Sequence, residues 1–174
     1  MKRLFPSLLL GILFLTLQST WLTFPLIHRI RPDLVLILTL YLGLSYPPIS
    51  GGILALFLGY LTDLFSGNSL GLYTFSRPVL FYIAQLFKGR IYLENYASQS
   101  LLIFILTMVE GFLILIFVKA LNPEFLRNLI PLSITAFLLH SLFTALLSPF
   151  FFSLLNKGSF LFFNHYRFGI GEKE

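Results

Sequence analysis

From Leu4 to Leu155 the chain is a series of apolar runs separated by short polar connectors. That pattern leaves few folds open. Inside a bilayer the backbone has no water to bond, so a spanning segment must satisfy its own N–H and C=O groups. Apolar runs of about 20 residues do this as helices. Composition agrees: 57% of the 174 residues are hydrophobic, 11% are charged, and the mean hydropathy is +0.88. A soluble domain carries far more charge. The chain therefore reads as an all-α polytopic membrane protein of about six transmembrane helices, one membrane-embedded domain over residues 1–174. No room is left for a separate soluble catalytic or nucleic-acid-binding domain.

The net charge of +5 does not indicate nucleic acid. The twelve basic residues stand in ones and twos between apolar runs, as the positive-inside rule distributes them, where they also meet the anionic lipid of the bilayer. The absence of cysteine excludes disulfides, thiolate nucleophiles and Cys-ligated metals.

The first run, Leu4 to Ile27, is too long for a signal peptide and reads as an uncleaved span, with Trp21 and Phe24 at the far interface. His28 to Asp33 is a polar connector. Pro32 suits a helix start, and Asp33 after it favours the positive helix N-terminus. The second run, residues 34–46, covers only about 20 Å of a core roughly 30 Å thick. The third, residues 51–65, is also short. The two read as thin spans, with a re-entrant hairpin as the alternative. Leu70 to Phe87 follows, with an interruption expected at Arg77-Pro78, then Leu101 to Leu121, and Leu129 to Leu155 between Pro131 and Pro149. The tail reads as interfacial.

With the N-terminus inside, Lys2, Arg3, Lys88, Arg90, Lys157, Arg167 and Lys173 fall on the inner side. Arg29, Arg31, Lys119 and Arg127 fall outside. This bias places both termini in the cytoplasm.

Four ionisable side chains lie within predicted spans: Asp63, Arg77, Glu110 and His140. Each costs about 3 kcal/mol at the centre of a bilayer, so each calls for a partner or a task. Arg77, Glu110 and His140 are mid-span on three different runs, and Asp63 is shallower, close to the turn at Ser66 to Asn68. One reading is structural: Arg77 pairs with Glu110 or Asp63, and His140 is a hydrogen-bonding core residue. The other is a central polar site that binds a solute or carries protons, aided by a helix broken at Pro78. The structural reading is preferred.

Gly51, Ala55, Gly59, Asp63 and Gly67 recur every four residues, which forms a stripe of small side chains on one helix face. Such a stripe lets another helix approach closely in lipid. It serves packing within the bundle or docking of a single-span partner. Enzymatic readings are weaker. Gly43-Leu44-Ser45-Tyr46 with His140 is a poor match to an intramembrane serine protease, and His28, His140 and His165 are too dispersed to share a metal. No cofactor is expected.

Two stretches carry a resemblance: Arg31-Pro32-Asp33-Leu34, and Gly51 to Phe75 with its glycine-studded helix, Asp63-Leu64, Ser66-Gly67 and Leu70-Gly71-Leu72. Together with size and span number, this pattern resembles the rod shape-determining protein MreD family. The resemblance implies a non-catalytic scaffold subunit of the bacterial cell-elongation machinery in the inner membrane. It implies pairing with an MreC-like single-span protein and, through it, links to MreB-like actin and to RodA-like and penicillin-binding peptidoglycan synthases. The family is also similar in fold to the S components of vitamin transporters, so an S-component-like bundle is expected. A solute-binding transport subunit is the alternative function. Against that alternative, the first run has only Gly11 as a small residue between Leu8 and Thr16.

Overall fold

The structure is a computed structural model that describes residues 4–21, 32–66, 71–89, 96–121 and 130–162. These residues form six helices and no strand: α1 Leu4–Trp21, α2 Leu34–Ser45, α3 Pro48–Ser66, α4 Leu72–Leu86, α5 Tyr96–Leu121 and α6 Ile130–Phe162. Among the described residues three helical segments are long and apolar enough to cross a membrane: Pro48–Ser66, Tyr96–Ala120 and Phe137–Asn156.

The second helix organises the bundle. Its ten residues from Val35 to Leu44 are all buried, and it touches every other helix. A helix apolar on every side suits that position, because it has no polar face to turn outward. The Asp33 carboxylate starts it, accepting from the Leu36 N–H at 2.8 Å. Its end is set by Pro47. A residue before proline is driven out of helical geometry, and Tyr46 is extended at φ −96°, ψ 162°. At about 18 Å, α2 remains too short to cross a bilayer.

The third helix differs from expectation. It begins at Pro48 rather than Gly51, because a proline in the first helical turn loses no hydrogen bond. The result is 19 residues, about 28 Å, which is a full span. Two other boundaries also move outward: α5 takes in Tyr96 to Ser100, and α6 runs on to Phe162.

The interruption expected at Arg77-Pro78 is not found. The α4 helix runs through Pro78, with Arg77 helical. Pro78 removes one hydrogen bond to the Thr74 carbonyl, but Thr74 is anchored separately through its N–H and hydroxyl. The ends of the helices are tied in pairs. Gln85 Nε2 and Lys88 Nζ donate to the Tyr46 carbonyl at 2.8 and 3.0 Å, joining the end of α4 to the end of α2. Asp63 joins the end of α3 to the start of α4.

The core is built from α2 with Leu54 and Leu58 of α3, Leu80 and Phe81 of α4, and Ile103 and Leu106 of α5. Edge-on aromatic pairs bring in α1 and α6: Phe14 with Phe151 at 5.5 Å and Tyr41 with Phe152 at 5.4 Å. The outward faces carry exposed apolar residues such as Ile53, Phe57, Phe112, Leu146 and Phe150, which suit contact with lipid. The strongest helix partnerships are α3 with α4 and α5 with α6.

Candidate functional site

Arg77 is the largest fully buried side chain described. A guanidinium at that depth must be met by acids. Its Nη2 donates to Asp33 Oδ2 in a short charge-assisted bond, and its Nε lies 3.4 Å from Glu110 Oε1. The guanidinium also stands over the Tyr73 ring, one turn back on α4, at 5.4 Å from the centroid. The Asp33 N–H donates to Thr144 Oγ1 at 3.3 Å, and that hydroxyl donates to the His140 carbonyl at 2.8 Å. Helices α2, α4, α5 and α6 therefore meet in one polar network inside the bundle. His140 is half-buried at its edge, within the electrostatic field of Asp33 and Arg77.

One expectation is extended and one corrected. Asp33, read as a capping residue in a connector, is also the close ion-pair partner of Arg77. Asp63 does not pair with Arg77. Its carboxylate accepts from the N–H groups of Gly71, Tyr73 and Thr74 at 3.0, 2.9 and 2.9 Å, and from the Thr74 hydroxyl at 2.6 Å. These donors are the unsatisfied groups of a helix N-terminus, so Asp63 caps α4 from the neighbouring helix. Gly71, at φ +108°, supplies the backbone turn that aims them there.

The small-residue stripe is occupied from within the chain. Gly51, Ala55, Gly59 and Asp63 are all buried. A Cβ on Gly59 would lie 2.9 Å from Thr74 Cα and nearer still to the Tyr73 carbonyl oxygen, so two helix backbones touch there. A Cβ on Gly51 would meet the Phe81 ring, with Cε2 at 2.6 Å. Sequence reading passed over Gly43 as a packing residue. A Cβ there would come within 2.9 Å of the Phe81 carbonyl, so α4 lies in a groove with Gly43 of α2 on one side and Gly59 of α3 on the other. Close backbone approach explains why α4 holds so tightly to both.

Of the other sequence-predicted residues, Pro32 is half-buried beside the cap. Arg31, Gly67, the connector at 28–31, the turn at 67–70, the loop at 122–129 and the tail from 163 lie outside the described residues. Ser45 stands at the far end of α2 from Asp33 and the His140 region, about 18 Å along the helix, which separates the pair suggested as a protease dyad. Among the described residues no group of three or more His, Cys, Asp or Glu could hold a metal. A surface groove of about 440 Å³ lined by Val79, Tyr82, Ile83, Gln85 and Leu86 is apolar and open, and its lining does not include the Arg77 network.

These features define a polytopic α-helical membrane protein whose buried charges hold helices to one another. A profile of the family described as rod shape-determining protein MreD matches residues 1–158, and the chain belongs to that family of shape-determining membrane proteins. No curated protein and no solved structure gave a match.

Proposed function

We propose that this protein is a non-catalytic scaffold of the cell-elongation machinery in the bacterial inner membrane, with both termini in the cytoplasm. In this reading it binds an MreC-like single-span protein. Through that partner it connects MreB-like actin inside the cell with RodA-like and penicillin-binding peptidoglycan synthases. The family match over residues 1–158 carries the proposal. The geometry is compatible with it: Asp33, Asp63, Arg77 and Glu110 are each engaged in contacts between or at the ends of helices.

The mechanism is assembly. Glycine contacts and the ion network make a rigid bundle, and its remaining surface presents the partner site. Because α4 covers the stripe at Gly51 to Gly59, docking falls to other surfaces, and bulk at Gly59 acts on the fold first. Affinity capture of the tagged full chain from native membranes tests the proposal. An MreC-like protein should come with it in near-stoichiometric yield. Capture of an ATPase with a transmembrane coupling subunit instead would move the assignment to transport.

A further inference from the structure

The polar network contains one acid more than its guanidinium can balance. Asp33 takes the close hydrogen-bonded contact with Arg77, while Glu110 stands 3.4 Å from Nε without a hydrogen bond. Both carboxylates and the guanidinium are buried among apolar helices. With both acids ionised and His140 neutral, the described cluster would hold a net negative charge where an uncompensated charge is most costly. Water outside the membrane relieves such an excess easily, whereas here a cation has to enter.

The smallest cation is a proton. We propose that the Asp33–Arg77–Glu110 network is a proton-binding site, with the proton carried on the Glu110 carboxyl and Asp33–Arg77 as the standing ion pair. Among the described residues, the groups facing Glu110 are Arg77 and Tyr73 from α4 and Asp33 from α2, while His140 of α6 interacts with Asp33 and Arg77. Protonation leaves one positive and one negative charge among Asp33, Arg77 and Glu110. It also supplies an O–H donor on a residue whose Oε1 has no hydrogen-bond partner.

The position gives the proton a consequence. Glu110 belongs to α5, which packs chiefly on α6, while Arg77 and Asp33 belong to the α2–α3–α4 group. Loss of the proton puts the excess charge at the contact between these two groups of helices. The Asp33–Arg77 pair is made between α2 and α4, on one side of that contact. Proton binding thus sets how firmly α5 and α6 hold to the rest.

Infrared spectroscopy of the full chain in lipid nanodiscs tests this. At neutral pH the wild type should show the carbonyl stretch of a protonated carboxylic acid. The band should shift when the protein is made with 13C-carboxyl glutamate, disappear in Glu110→Gln, and weaken in Asp33→Asn, where the excess acid is gone and Glu110 ionises against Arg77. Glu110→Gln should keep the wild-type Tm at neutral pH, because glutamine imitates the neutral acid, whereas Asp33→Asn should lower it. No protonated-acid band at neutral pH, a band indifferent to the glutamate label, or a Tm loss in Glu110→Gln equal to that of Asp33→Asn would each overturn the proposal. The wild-type labelling experiment decides the matter even for a variant that does not fold.

Discussion

Replacing Gly59 with alanine tests how α3 and α4 meet. The added Cβ would lie 2.9 Å from Thr74 Cα and closer to the Tyr73 carbonyl oxygen, and both are backbone atoms. A side chain could rotate away, but a helix backbone cannot. Asp63 holds this stretch of α4 through the N–H groups of Tyr73 and Thr74, which stiffens it further. Relief requires the two helices to separate by on the order of 1 Å, which forfeits a quarter to a half of the dispersion attraction across the contact. Overpacking of this kind costs about 1–3 kcal/mol, and an unyielding neighbour places it near the upper end. Alanine's better helix propensity offsets up to about 1 kcal/mol, so the net loss is about 2 kcal/mol. For a chain of this length that is a fall in Tm of roughly 4–8 °C. Gly52→Ala is the control, because its Cβ meets the hydroxyl end of the exposed Tyr82 side chain at 2.6 Å. Thermal unfolding in one detergent should show Gly59→Ala clearly below wild type and Gly52→Ala level with it or above. Equal Tm values for the two variants would refute backbone contact as the reason for glycine at 59.

Arg77→Ala strands the buried Asp33 carboxylate and takes the guanidinium away from Glu110, and should cost about 3–5 kcal/mol. In a double-mutant cycle read by Tm, Arg77 should couple strongly to Asp33 and weakly to Asp63. Asp63→Ala removes four hydrogen bonds at the start of α4 and should cost about 2 kcal/mol, with Asp63→Asn retaining part of it, as hydrogen exchange at Tyr73 and Thr74 would report. A vitamin panel should leave the Tm of the purified protein unchanged. A saturable rise with any member would favour the transport reading, since a ligand that binds only the folded state raises its stability.

Much of this architecture was legible in the sequence, and the shortfalls have physical causes. The spans followed from apolar runs because lipid forces each run to be helical. The four-residue spacing of small residues from Gly51 marked a close helix contact, but spacing alone does not say which helix fills it. The tertiary structure gives that place to α4. Asp63 was recognised as shallow and near a turn, and its use as a cap for the next helix depends on the antiparallel return of α4. Asp33 was read as the acid at a helix start, and its pairing with Arg77 was missed. Its signal lay in the short second run: a helix too short to cross, once buried on every side, can begin inside the bundle, which brings its N-terminal acid to the depth of Arg77. Pairing Arg77 by span position offered Glu110 or Asp63 and missed the closer acid. Gly43 left no periodic signal, since it is the single glycine of α2.

On the proposed reading this bundle determines cell shape, and the Arg77 network holds it in working form. Depletion of the chain in its own host, followed by microscopy of cells expressing either wild type or Arg77→Ala at matched membrane levels, tests it directly. Depletion should round the cells, the wild type should restore rods, and Arg77→Ala should leave the cells round. Depleted cells that remain rods, or full rescue by Arg77→Ala, would contradict it.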